Sequence, residues 1–296
     1  MKGLELAKAY YEEYGKAMLE QFPDIAGYIC TGLAGSGSEC LGYDDEASCD
    51  HDFEPGFCIF LPGEDVVSRK EAFALERAYA KLPKEFMGYK RNMMSPVGGD
   101  RHGVMRTEDF YRERAGIRID APLELSDWFH IPSHALREAT SGEVFADNYG
   151  EFTRIRNMLL DMPEDVRLKK LAGHLIMMAQ SGQYNFPRIA KRGEKAAAQL
   201  AVYEFVKSAQ EVIFLLNREY MPFYKWSFRA MRDLAFGAEL EEPLYRLMIT
   251  DNEPENAKAK YISIERICAS IIGRLQEQDL TKAVCGDLEK HAFSVN

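Results

Sequence analysis

The sequence predicts an α+β chain: a small mixed-sheet N-terminal domain over residues 1–121, followed by an all-helical C-terminal domain over residues 122–296. Three observations lead there. Up to about residue 82, short β-branched and aromatic runs alternate with stretches of helical spacing. From residue 122 onward, apolar residues recur three and four apart in one block after another. Gly or Pro falls between those blocks. A chain of 296 residues can bury a core of this size without metal or disulfide staples.

Residues 3–21 carry Leu6, Tyr10, Tyr14 and Met18 at helical spacing, and Pro23 ends that helix. Residues 25–31 form a β-rich run, followed at once by the Gly/Ser loop 32–38. A second β-like stretch covers 49–53, breaks at Pro55-Gly56 and resumes over 57–61. Residues 64–82 place Ala72, Leu75, Ala78, Tyr79 and Leu82 on one helical stripe. Residues 86–121 show no readable period and contain the expected junction. Helical patterns then occupy 122–129, 133–140, 151–161, 163–181, 186–217, 222–236, 240–250 and 254–278. Their breaks include Pro163, Pro187, Pro222, Gly237 and Pro254.

Charge and composition narrow the function classes. Lys and Arg total 37 against 47 Asp and Glu, a net charge of −10. A nucleic-acid coat needs excess cations to displace counterions, so nucleic acid ranks last among partners. No apolar run is long enough to span a bilayer. Glu5, Lys8, Glu12 and Glu13 interrupt anything resembling a secretory h-region. Six cysteines at 30, 40, 49, 58, 268 and 285 read as reduced thiols without zinc-ligand spacing. The expectation is a cytoplasmic protein with no membrane partner.

Residues 35–53 are the most informative segment. A phosphate-binding loop of the Gly-x4-Gly-Lys type fails because Ser38-Glu39 follows Gly37. A dinucleotide fingerprint fails at Cys40. A metal phosphohydrolase built on His51-Asp52 needs an upstream histidine, and none precedes His51. A Gly-Ser turn followed by a strand bearing Asp50 and Asp52 fits better. Alternate strand residues share a face, so both carboxylates converge and require a cation between them. Mg²⁺ suits such hard oxygen ligands, and a glycine turn can cradle a phosphate chain. These are the parts of two-metal nucleotidyl transfer. The competing account is an ordinary acidic loop, since Asp44, Asp45 and Glu46 lie nearby.

Gly37, Ser38, Gly42, Asp50 and Asp52 resemble the motif of the nucleotidyltransferase superfamily, the DNA polymerase β-like fold. His51 departs from its hydrophobic residue between the aspartates. Further segments follow in order: residues 48–53, Asp127-Trp128 through Pro132, residues 136–147, Met162-Pro163 and residues 221–226. That series resembles the uncharacterised bacterial family called domain of unknown function 4037. The resemblance implies a nucleotidyltransferase-like N-terminal domain joined to a helical domain. It implies phosphate contacts at Gly37 and Ser38, a two-Mg²⁺ site at Asp50 and Asp52, and a nucleoside triphosphate as substrate. The acceptor would be a hydroxyl on a small molecule or a protein.

A third carboxylate is expected on a later strand near residues 101–106, where Met105 and Arg106 stand. Glu108, Asp109 and Asp120 are the alternatives. The missing acid motivates a second reading, a catalytically inactive nucleotide-binding sensor or partner protein. Lys225, among Tyr220, Phe223, Tyr224 and Trp226, reads equally as a phosphate contact and as a snorkelling helix-start lysine. Gln180, Tyr184, Asn185 and Arg188 form a polar-aromatic knot that reads first as an interhelical turn. Lys90-Arg91 and Lys169-Lys170 read as solvated surface, and His174 reads as a core histidine.

Overall fold

Two glycines set where the central sheet can close. The structure, a computed structural model, describes residues 1–46, 53–91 and 102–295. The chain divides into two compact units, Met1–Asp161 and Met162–Asn296. The first contains the strands β1 (Cys30–Ala34), β2 (Cys58–Leu61), β3 (Glu85–Phe86), β4 (Tyr89–Lys90), β5 (Gly103–Arg106) and β6 (Gly142–Asp147). The larger sheet has the order β5-β2-β1-β6, and β3 and β4 form a separate ribbon. β1 is antiparallel to both neighbours, whereas β2 and β5 are parallel. A Cβ on Gly32 would stand 2.5 Å from the Glu143 carbonyl oxygen, and one on Gly142 only 1.9 Å from that of Leu33. The register of β1 on β6 shifts between Thr31 and Gly32, so this close approach coincides with a bulge.

Both faces of the sheet are covered, which is why β1 and β2 are buried along their whole length. One face carries Phe57, Ile59 and Leu61 against the N-terminal helix and the helix Arg69–Tyr79. That second helix starts at a capping box in which the Ser68 and Glu71 side chains each serve the other's backbone. The N-terminal helix runs from Gly3 to Leu19 through a π-helical turn, Tyr11–Gly15. Tyr79 accepts the Phe57 N–H at 2.9 Å and donates to the Phe57 carbonyl at 2.8 Å. Arg91 stacks 4.9 Å from the Tyr79 ring and donates to the Tyr10 hydroxyl at 3.1 Å. It is therefore a packing residue rather than the solvated charge expected from Lys90-Arg91. On the opposite face Phe60 stacks on Phe152 at 4.1 Å and meets Phe110 edge-on at 5.1 Å.

The mixed α/β character agrees with the sequence reading, with shifts at particular places. Residues 25–26 close the short helix Pro23–Ala26 instead of opening a strand, because Pro23 supplies a helix start. β1 then reaches into the residues expected as loop, through Gly32, Leu33 and Ala34. Phe53 lies outside any strand, and residues 47–52 fall outside the described segments. The expected junction after residue 121 falls inside the first unit. β6 pairs there with β1, and Arg156 donates to the carbonyls of Thr140 and Gly142 at 3.0 and 2.7 Å. The expected helix over 186–217 breaks at Gly193, whose φ of +75° separates Phe186–Lys191 from Lys195–Leu216.

The second unit is helical from Glu164 to Val295, with a second π-helical turn at Ala179–Asn185. Gly182 in that turn lets Phe205 approach, since a Cβ there would meet its ring at 2.3 Å. Arg167 is buried; it pairs with Glu164 at 2.6 Å and donates to the Leu215 carbonyl at 3.1 Å. Arg218 adds a second contact to Glu164 at 3.0 Å. These guanidiniums hold the Glu164 carboxyl at about 2. Burial, with Lys170 and Lys207 nearby, pushes His174 down to about 4. Among the described residues no helix is long and apolar enough to cross a membrane.

Gly142→Ala should destabilise the protein by more than about 2 kcal/mol, because it adds both a clash and a strained φ of +85°. A urea melt within 0.5 kcal/mol of wild type would contradict this close approach. The Glu164 pKa is lowered on folding, so its contribution is complete above pH 4.5 and fades as pH falls towards 2. Glu164→Gln should cost about 1 kcal/mol at pH 7, with the difference shrinking at pH 3. Chemical denaturation at both pH values reads this out.

Candidate functional site

β1 ends at Ala34 and delivers the chain into Gly35-Ser36-Gly37, ahead of a single helical turn, Ser38–Leu41. Gly35 and Gly37 have φ of +114° and +124°, a region that side chains adopt only under strain. The turn closes at Gly42, φ +75°, and Tyr43 N–H donates to the Ser38 carbonyl at 2.8 Å. Ser38 Oγ stands 3.5 Å from Glu39 Oε2. Just beyond, Asp44 is buried and accepts the Gly3 N–H at 2.7 Å, at the positive end of the first helix. Asp44 therefore has a structural role.

Strand directions decide which residues share this end of the sheet. Gly32 faces Cys58, Cys58 faces Gly103, and Ala34 faces Gly142. The first residues of β2, β5 and β6 thus lie at the end where the turn begins. Arg106, the last residue of β5, lies at the other end, opposite Leu61. There it donates to the carbonyls of Pro62 and Val67 at 2.6 and 2.8 Å. The helix Thr107–Ala115 starts from that far end and returns along the sheet, a run of about 13 Å. Its penultimate residue, Arg114, reaches the turn, where Nη1 donates to Ser36 Oγ at 3.1 Å. Arg114 Nε is buried and has no hydrogen-bond partner. Cys58, beneath the turn, is fully buried, and burial pushes its thiol up to about 12.

Of the residues singled out from sequence, Gly37 and Ser38 stand in this turn. Asp50 and Asp52 lie outside the described residues. Phe53, the next described residue, packs with Glu39 around Gly3: a Cβ there would meet Glu39 Cβ at 2.6 Å and the Phe53 ring at 3.2 Å. Lys225 belongs to the second unit, at the exposed start of the helix Tyr224–Met231, with Nζ 5.3 Å from the Trp226 ring centroid. Met105 lies within β5 opposite Phe60. Glu108 and Asp109 open the returning helix at the far end of the sheet, where Asp109 pairs with Arg112. Asp120 is exposed and pairs with Arg118 at 2.5 Å. Among the described residues no group of three or more His, Cys, Asp or Glu is arranged to hold a metal ion.

Sequence reading passed over Arg114, which sits in the stretch without a visible period. Phe110, Tyr111 and Ala115, buried on one side, followed by Gly116 at φ +69°, are the helix and C-cap signals that could have located it. In the second unit, Gln180 and Tyr184 line a cavity of about 590 Å³ with Tyr261 and Glu265. Arg188 stacks 3.6 Å from the Tyr184 ring centroid. Gln183 ties this turn to Glu265 at 3.0 Å and to the Gly286 carbonyl at 2.8 Å, a bracing role.

Residues 128–227 match the family model described as Domain of unknown function (DUF4037). The matched segment begins at Trp128, in the helix Leu125–His130, and ends one residue beyond Trp226. No curated protein matches the chain significantly.

Burial keeps the thiols at 30, 58 and 268 protonated and inaccessible, while Cys285 is part-exposed. Native labelling with an aromatic disulfide at pH 8 should modify Cys285 well before Cys30, Cys58 or Cys268. Fast labelling of Cys58, read by peptide mass, would mean that the turn above it opens.

Proposed function

We propose that the first unit binds a Mg²⁺-nucleoside triphosphate and transfers the nucleoside monophosphate to a hydroxyl of a small-molecule or protein acceptor. The observation that carries this reading is the Gly35–Ser38 turn at the end of a buried strand, its two glycines held at positive φ. Eleven residues separate Ser38 from Asp50 in the sequence. A backbone of this kind can lie close to phosphate oxygens because no Cβ intervenes. The donor set fits the metal: carboxylates at 50 and 52 are hard oxygen ligands of the sort Mg²⁺ takes alongside phosphate.

In this reading Gly37 and Ser38 hold the β- and γ-phosphates, and Asp50 and Asp52 are the metal ligands. Bound Mg²⁺ would supply charge neutralisation at the attacking and leaving oxygens. The acceptor oxygen bonds to the α-phosphorus as the α–β bridging bond breaks and pyrophosphate departs. The hydroxyl proton passes to solvent or to a carboxylate. The turn's part is to fix the phosphate chain so that the leaving oxygen lies in line.

A second reading keeps nucleotide binding without transfer. It is favoured by β5, where Met105 occupies a position at which an acid would be expected, while Arg106 is committed to the carbonyls of Pro62 and Val67.

Calorimetric titration of ATP, GTP, CTP and UTP with Mg²⁺ into wild type and Asp50→Ala/Asp52→Ala tests the site. Saturable binding that disappears in the double variant supports it. Absence of binding by wild type, or equal affinity in the variant, overturns the assignment. Pyrophosphate release in the presence of candidate acceptors separates the two readings.

A further inference from the structure

We propose that Arg114 recognises the terminal phosphates of the bound nucleotide and makes the Gly35–Ser38 turn selective for a polyphosphate over a monophosphate. This rests on the nucleotide-binding reading and deepens it, because it assigns a residue and a ligand chemistry that the sequence motif does not contain.

The position of Arg114 is over-determined by packing. Its helix is fixed to the sheet by Phe110 against Phe60 and Phe152, and by Tyr111, whose hydroxyl donates to the Phe152 carbonyl at 3.1 Å. The guanidinium meets the turn twice. Nη1 donates to Ser36 Oγ, and a Cβ on Gly35 would lie 3.5 Å from Nε. Glycine at 35 lets the backbone lie against the guanidinium plane at a φ of +114°.

The electrostatics of Arg114 set it apart from its neighbours. Arg112 on the same helix and Arg118 just after it each pair with an aspartate. Among the described residues Arg114 forms no ion pair; its one hydrogen-bond partner is a neutral hydroxyl, and its Nε–H is buried without an acceptor. A buried N–H without an acceptor is a standing cost, and a cation without an anion is poorly used at a solvent-facing turn. An anion with several oxygens resolves both. The planar guanidinium fork matches phosphate geometry, and a terminal phosphate offers more charge and more acceptors than a diester oxygen. The Ser36 contact fixes the plane of the fork before the ligand arrives, which lowers the ordering cost of binding.

The test titrates Mg²⁺-ATP, Mg²⁺-tripolyphosphate and AMP into wild type, Arg114→Gln, Arg114→Lys and Ser36→Ala, with thermal melts to verify folding. In Arg114→Gln the affinities for ATP and tripolyphosphate should fall at least about tenfold, the loss expected for one charge-assisted hydrogen bond, while AMP is unaffected. Arg114→Lys should recover part of the loss, and Ser36→Ala, which releases the fork, should weaken polyphosphate binding by less than Arg114→Gln does while leaving AMP unaffected. Equal ATP affinity in Arg114→Gln overturns the inference and leaves the nucleotide site standing. An equal loss of AMP shows that Arg114 acts on the fold, which also overturns it. Tripolyphosphate binding without any nucleotide preference supports Arg114 but removes the transferase reading, and binding of neither ligand removes both. If Arg114→Gln does not fold, the ¹⁵Nε–H resonance of Arg114 in wild type, assigned through Arg114→Lys, decides. A shift on adding tripolyphosphate supports the contact, and an unmoved resonance overturns it.

Discussion

The close approach of β1 to β6 is the constraint on which the first unit depends. Gly32 and Gly142 each lie where a single added carbon would strike the partner strand's backbone. With that contact made, β1 becomes an interior strand, and both of its faces must be covered. The aromatic layer around Phe57 and Tyr79 covers one face of the sheet, and the Phe60, Phe110 and Phe152 layer covers the other. The same placement fixes the point at which the chain leaves β1 and turns through Gly35 and Gly37. A turn anchored to a buried strand has little freedom to drift, so its backbone groups stay in fixed positions.

The returning helix Thr107–Ala115 connects that core to the turn. Its start is set by β5, its middle by two aromatic contacts, and its end by Arg114 at Ser36. Packing at Phe110 and Tyr111 therefore positions a charged group that neither residue touches in sequence. Arg106 stabilises the opposite end of the same connection by holding the 62–67 loop through two carbonyls. Two arginines eight residues apart thus serve different ends of one sheet, one structural and one facing the candidate site.

Two buried polar groups of the second unit have their hydrogen bonds satisfied within it. Arg167 binds a carboxylate and a backbone carbonyl, and His291 is fully buried between Thr281 and the Cys285 carbonyl. Its π-helical turn at Ala179–Asn185 is accommodated because Gly182 leaves room for Phe205. These are stabilising arrangements.

Local chemistry in the sequence determined a good part of this protein. Helices such as Ser133–Thr140, Glu151–Leu160 and Pro254–Glu277 fall where periodicity and proline placed them, since both signals act within a few residues. The Gly-Ser turn was legible for the same reason. The tertiary structure alone decided that β6, a strand amid helical patterns, belongs beside β1. It also decided that Asp44 caps a helix and that Arg91 stacks on tyrosines. Above all it brought Arg114 back to a turn 78 residues earlier. Each of these is a pairing across a long stretch of chain. Such pairings depend on which surfaces the folded sheet brings together, and no local preference of the residues encodes them.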